Sequence, residues 1–161
     1  MRGAPINVSV DGAGPVNVLV IGSIHGNEAA GHAVVRRLRA LGPPPGVRLW
    51  TVRTVNPDGV AANTRGNARG VDLNRNFPHR WRRGHHSGRQ PLSEPEARAV
   101  RRLVRRVRPD LTIWYHQPLR LVDFSSGADP ALLRGKYVFC QRVAMPGRNP
   151  IRRTGRPARR P

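Results

Sequence analysis

The sequence predicts an α/β domain with a largely parallel sheet, and three observations carry that prediction. Val16 to Ile21 and Leu111 to Tyr115 are short, nearly continuous apolar runs of the kind that form buried parallel strands. Between them lie two segments with helical apolar spacing, at 27–41 and downstream of Ser93. Two histidines, His25 and His116, follow the two apolar strands, and ligands of open α/β sheets bind outside the carboxyl ends of strands.

The elements follow in order. Ile6 to Val10 alternates and ends at Asp11-Gly12, which predicts a strand and a turn. The strand Val16–Ile21 leads into a helix over 27–41, where Ala30, Val34, Val35, Leu38 and Leu41 recur on one face; Gly42 and Pro43–Pro45 end it. Val47 to Val55 alternates again, with Val47, Leu49, Thr51, Arg53 and Val55 expected on one side. Asn56-Pro57-Asp58-Gly59 reads as a turn, because proline fixes φ and glycine accepts positive φ. Residues 60–92 are polar, Gly-rich and Arg-rich without a sustained period, a loop too long to be idle in a compact domain. Ser93 and Glu96 are spaced as a capping box, and Val100, Leu103, Val104 and Val107 form the apolar stripe of the helix that follows; its arginines fall on the solvated face. Pro109 stops that helix, and Leu111 to Tyr115 ends at His116. A short helix is expected near 129–138. Residues 1–133 are expected to form the domain, and 134–161, an Arg/Pro-rich tail with no apolar period, are expected to be disordered.

Composition narrows the function classes. The 161 residues fit one domain, and no apolar run reaches the length of a transmembrane helix. No signal peptide is visible, so the chain as printed is expected in the cytoplasm and off the membrane; compartment and oligomeric state stay open. The single cysteine, Cys140, excludes an intrachain disulfide and any multi-cysteine zinc site, leaving His and carboxylates for a metal. The net charge of +20 raises nucleic acid as a partner, but the basic residues are all arginine except Lys136, a pattern that suggests GC-rich coding. No nucleic-acid motif accompanies the charge, and no nucleic-acid partner is predicted.

Three clusters carry chemistry. His25-Gly26-Asn27-Glu28 places an imidazole and a carboxylate three residues apart, able to converge on one cation; alone it also fits a surface His with a Glu near a helix start. Residues Asn63 to Phe77 pack Arg and Asn side chains, matched to a carboxylate, around Val71-Asp72-Leu73; the plainer reading is a solvated basic loop. Tyr115-His116-Gln117-Pro118 ends the last apolar strand, and His116 is either a core histidine or a third ligand that completes a two-His, one-Glu zinc site.

In this order the elements H-x-x-E, N-P-D-G, an Arg before G-V-D-L-N-R-N-F, S-E-P-E and a strand ending in His resemble the zinc metallocarboxypeptidase family. The wording of H-G-N-E, T-R-G-N-A-R-G-V-D-L-N-R-N-F-P and Y-H-Q-P is most similar to its murein-peptide amidase branch, and the likeness spans residues 17–123. The resemblance implies a three-layer α/β/α sandwich with a mixed sheet. It implies one zinc ion held by His25, Glu28 and His116, with Arg65 polarising the scissile carbonyl and Asn74 and Arg75 holding a substrate carboxylate. The implied activity is hydrolysis of an amide next to a free carboxylate in a peptide substrate, murein peptides included.

The pattern breaks downstream. The family requires a general-base Glu on a late strand, yet Glu28, Glu94 and Glu96 are the only Glu and all precede His116. The nearest later acids are Asp123 and Asp129. The expectation is a truncated or frameshifted copy whose pattern decays after about residue 134, with a catalytically defective zinc- and carboxylate-binding fragment as the alternative to an active enzyme.

Overall fold

The computed structural model describes residues 4–117 and two short strands, Val122–Asp123 and Ile151–Arg152. The first unit, ending at Gln117, holds β1 (Val8–Asp11), β2 (Val16–Ile21), α1 (Ala30–Leu41), β3 (Val47–Val52), α2 (Pro57–Ala62), a 3-10 turn (Leu73–Arg75), α3 (Pro95–Val107) and β4 (Leu111–Trp114). The sheet runs β1-β3-β2-β4, with β1 antiparallel to β3 and the other pairs parallel, so it is mixed as expected. In the second unit, Val122–Asp123 (β5) pairs in parallel with Ile151–Arg152 (β6), the latter within the stretch expected to be a disordered tail. The expected helix at 129–138 and the boundary at residue 134 lie outside the described residues.

The apolar alternation of β2 divides the core in two. Leu19 and Ile21 point to one face and join Ile24, Val52, Val55, Leu73 and Val100 of α3. Val20 points to the other, with Val35 of α1 and Leu49; Val18, Leu38, Val47 and Ile113 pack against them. Helices therefore cover both faces of the sheet, the three-layer α/β/α sandwich. Full burial of each Leu or Ile contributes about 1.5–3 kcal/mol, so the central strand, where Leu19 and Ile21 are both 0% exposed, anchors the whole.

Several local expectations are corrected. α1 begins at Ala30 rather than 27, because Glu28 N–H closes a turn on the His25 carbonyl (3.2 Å) and holds 25–28 out of the helix. β3 ends at Val52. Arg53 is exposed, and Val55 lies in the core cluster opposite Leu49 and Val47, its N–H donating to the Ser23 carbonyl (3.0 Å). Asn56-Pro57-Asp58-Gly59 opens a helix instead of making a free turn: Asn56 caps α2 by accepting from Gly59 N–H (3.0 Å), and Pro57 sits where its missing N–H costs nothing. The capping box at Ser93 does not form, and Glu94 is the N-cap residue without a side-chain cap bond. Its carboxylate and that of Glu96 are claimed by the Asn67 amide, at 2.8 and 3.2 Å, and a side chain committed there cannot turn back to its own helix. The apolar stripe and the exposed arginines of α3 are as expected, and the helix ends at Arg108 in the left-handed region.

The long loop is held by three buried asparagines. Asn56 donates to the Gly66 carbonyl (3.1 Å). Asn67 accepts from Arg69 and Val71 N–H (3.0 and 3.1 Å) while donating to the two glutamates. Asn76, 0% exposed, donates to the Ser87 and Gln90 carbonyls and to Ser93 Oγ, and accepts from Glu94 N–H (3.1 Å). A segment without an apolar period thus orders through satisfied amides, and no buried side-chain polar atom among the described residues lacks a partner.

Candidate metal centre

The C-terminal ends of β2 and β4 are brought together by the sheet register. Tyr115 N–H donates to the Ile21 carbonyl (3.1 Å), extending the β2–β4 ladder one step, and His116 follows at once. Gln117 then accepts from Ala30 N–H (2.9 Å), supplying from the segment after β4 the cap that Ala29 does not provide to α1. These two bonds fix His116 beside the turn that carries His25 and Glu28. Gly26 makes that turn possible: a Cβ there would fall into the Gly59 backbone and against the Thr64 carbonyl.

His25, Glu28 and His116 converge, each offering one ligand atom within 4.8 Å of the others. The Glu28 carboxylate lies between the imidazoles, Oε1 at 2.7 Å from His25 Nδ1 and Oε2 at 3.1 Å from His116 Nδ1. The rings lie 5.1 Å apart, centroid to centroid. Glu28 and His25 are buried and His116 is partly exposed, which leaves one open side. His32, His79, His85 and His86 stand outside the cluster; His32 bonds Ser23 Oγ (2.8 Å) instead.

Asp72 is the residue that sequence reasoning missed. It reaches His25 Nε2 at 3.0 Å on the side away from Glu28. Its other oxygen accepts from Arg65 Nε (3.0 Å). Burial works to raise its pKa, but the His25 hydrogen bond and the charges of His25 and Arg65 outweigh that and hold it down at about 2, so it is a carboxylate at any ordinary pH. The available signal was an acid framed by two apolar residues in a polar loop: Val71 and Leu73 are both buried and pull Asp72 inward. Asp72 also caps the 3-10 turn, accepting from Asn74 N–H (3.0 Å), and thereby positions Asn74 and Arg75.

The remaining expected residues gather around this acid. Arg65 NH1 donates to Glu28 Oε1 (3.3 Å), so its guanidinium spans Glu28 and Asp72 while half of its side chain stays exposed. Arg75 Nε stands 3.9 Å from Asp72, with 67% of the side chain exposed, and Asn74 beside it is also exposed.

The chemistry of the donor set suits a divalent metal. Both nitrogens of the buried His25 ring face carboxylates, an arrangement satisfied either by an imidazolium with two N–H groups or by a neutral ring with one N–H and a cation at its other nitrogen. With a cation on the Nδ1 side, Nε2–H would donate to Asp72, and Nδ1, Glu28 and His116 would direct lone pairs at the ion. Carboxylate-bound histidine is the usual outer support of a zinc ligand.

The α/β/α sandwich thus presents two histidines and a glutamate where parallel strands end, and it is similar to known proteins. The chain belongs to the succinylglutamate desuccinylase/aspartoacylase catalytic domain family, whose profile matches residues 15–116. It is similar to murein peptide amidase A of Escherichia coli K12, with 34% identity over 123 residues covering 65% of this chain and 50% of that protein. Its fold matches the crystal structure of the murein-tripeptide amidase of Escherichia coli O157 (TM-score 0.61, 33% identity, 74% of this chain and 58% of that one). It also matches a succinylglutamate desuccinylase/aspartoacylase of Rhodobacter sphaeroides (TM-score 0.58, 26% identity, 83% of this chain and 41% of that one). The chain spans about half the length of the curated relatives it matches. No helix among the described residues is long and apolar enough to cross a membrane.

Proposed function

We propose that this chain is a zinc-dependent hydrolase of an amide next to a free carboxylate in a peptide, murein peptides included, with His25, Glu28 and His116 as the metal ligands. The observation that supports it most is the convergence of these three side chains beside a partly exposed arginine. A bound zinc would supply Lewis-acid polarisation of the scissile carbonyl and of a water. Arg65, fixed by Glu28 and Asp72 yet half exposed, turns a guanidinium toward charge that develops on the carbonyl oxygen. Asn74 and Arg75, exposed on the turn that Asp72 caps, offer a donor and a planar fork to the substrate carboxylate. Asp72 holds His25 in one orientation and so acts by positioning.

A second reading has its own support. Each Glu of the chain is engaged: Glu28 in the cluster, Glu94 and Glu96 with Asn67. Among the described residues, no further carboxylate borders the cluster except Asp72, which is bound to His25 and Arg65. A protein that holds metal and carboxylate without turnover fits that inventory, since a positioned base is typically worth about 10²–10⁴ in rate. The test is turnover and binding of a murein-derived peptide by zinc-loaded protein and by Arg75→Ala. Turnover that Arg75→Ala weakens through KM supports the hydrolase. Peptide binding without turnover, lost in Arg75→Ala while zinc is retained, supports the binding protein. Neither binding nor turnover overturns both.

A further inference from the structure

Apart from the metal cluster, the long loop borders a second, open concavity, a shallow cleft of about 480 Å³ lined by Arg69, Arg83, Arg89, His85 and His86, with Glu94 at one side. Its volume falls in the range of small-molecule pockets, about 300–1,000 Å³. Arg65, Asn74 and Arg75 do not line it. The Asp72 backbone separates the two sites: its N–H donates to the His86 carbonyl (2.8 Å) while its carboxylate faces His25.

The charge in this cleft is unbalanced. Glu94 is the one carboxylate there, and its capacity is taken: it is buried, accepts from Asn67 Nδ2 and Ser93 Oγ (both 2.8 Å), and pairs with Arg69 at 3.5 Å. Arg69 and Glu94 therefore cancel. Arg83 and Arg89 face the same space with no hydrogen bond or ion pair among the described residues. His86 Nδ1–H donates to the Gly70 carbonyl (2.7 Å), which fixes the ring and leaves Nε2 free, and the His85 ring packs edge-on against it at 3.9 Å. Two guanidinium forks thus face one small volume without a counter-charge. The exposed arginines of α3 differ, because they stand on a convex helix face.

We propose that this cleft binds a small ligand carrying two or more anionic groups, phosphoryl or carboxylate. Guanidinium forks match the oxygens of both groups, and two forks in one cleft favour a ligand with two anionic ends over a monovalent ion. Phosphoryl and carboxylate ligands share this chemistry, so the test uses a probe for each. Isothermal titration of the full chain with pyrophosphate and with citrate, at ionic strength held constant by NaCl, should give one saturable site per chain for at least one probe. The tighter probe assigns the ligand to phosphoryl or polycarboxylate compounds. The double variant Arg83→Gln/Arg89→Gln should weaken binding about a hundredfold or more, since each of its two lost charge-assisted hydrogen bonds is worth about tenfold or more. The surface variant Arg101→Gln/Arg105→Gln, with the same charge change on α3, should leave the affinity unchanged. Failure of both probes to saturate overturns the proposal. So does equal loss in the two variants, or full binding by Arg83→Gln/Arg89→Gln. Both variants replace exposed residues, and unchanged melting temperatures confirm that the fold is intact.

Discussion

Replacing Asn67 by Ala should cost about 3–5 kcal/mol of stability. The amide makes four side-chain hydrogen bonds, two as donor to Glu94 and Glu96 and two as acceptor from Arg69 and Val71 N–H. The four losses are unequal. Arg69 is exposed, so water replaces the acceptor its amide loses. Glu94 keeps Ser93 Oγ and Arg69. The Val71 N–H and the Glu96 carboxylate, 5% exposed, lose partners in a buried place. Each such orphan costs about 1–3 kcal/mol, with the charged group at the upper end, which gives the stated total. Asn67→Asp keeps the shape but aims a third carboxylate at the other two, and at pH 7 it should be at least as harmful. Urea unfolding followed by tryptophan fluorescence measures both. Since a domain is stable by only about 5–15 kcal/mol, the loss should be plain in the midpoint. A loss below about 1 kcal/mol for Asn67→Ala would refute the claim that this amide, rather than apolar packing, orders the loop.

Two further outcomes follow from the same geometry. Gly26→Ala forces a methyl into the Gly59 backbone, and thermal denaturation should show a loss of about 1–3 kcal/mol or more; an unchanged melting temperature would mean the turn has room to spare. Burial and the nearby Arg53 charge lower the His32 pKa from 6.5, so below that pH the unfolded chain binds the proton more readily than the folded one. Stability should therefore fall as pH drops through 6.5 toward the lowered folded value, and His32→Gln should flatten that part of the urea-midpoint profile; identical profiles would contradict the linkage.

Much of the fold was legible because burial imprints itself on apolar patterns. The run Val16–Ile21 and the stripe Val100, Leu103, Val104, Val107 both announced their elements. The misread places are those where a polar side chain serves a distant partner. Ser93 and Glu96 have capping-box spacing, yet Asn67, 29 positions before Glu96, takes the carboxylate, and no local rule records so remote a claim. Asn56 looked like part of a turn because its cap bond and its bonds into the loop are made by one side chain. The convergence of His25, Glu28 and His116 was expected from their place after apolar strands and from their order along the chain. Asp72 was not, because its role depends on facing a ring 47 residues earlier.

The proposed hydrolase function requires that His25, Glu28 and His116 form a metal site. Chelator-stripped protein titrated with zinc against a competing chromophoric chelator tests it most directly. One equivalent should bind per chain, and His116→Ala, which removes a partly exposed ligand with little effect on the core, should bind far more weakly while keeping its melting temperature in the absence of metal. No zinc uptake by the unaltered chain, or undiminished uptake by His116→Ala, would contradict the assignment.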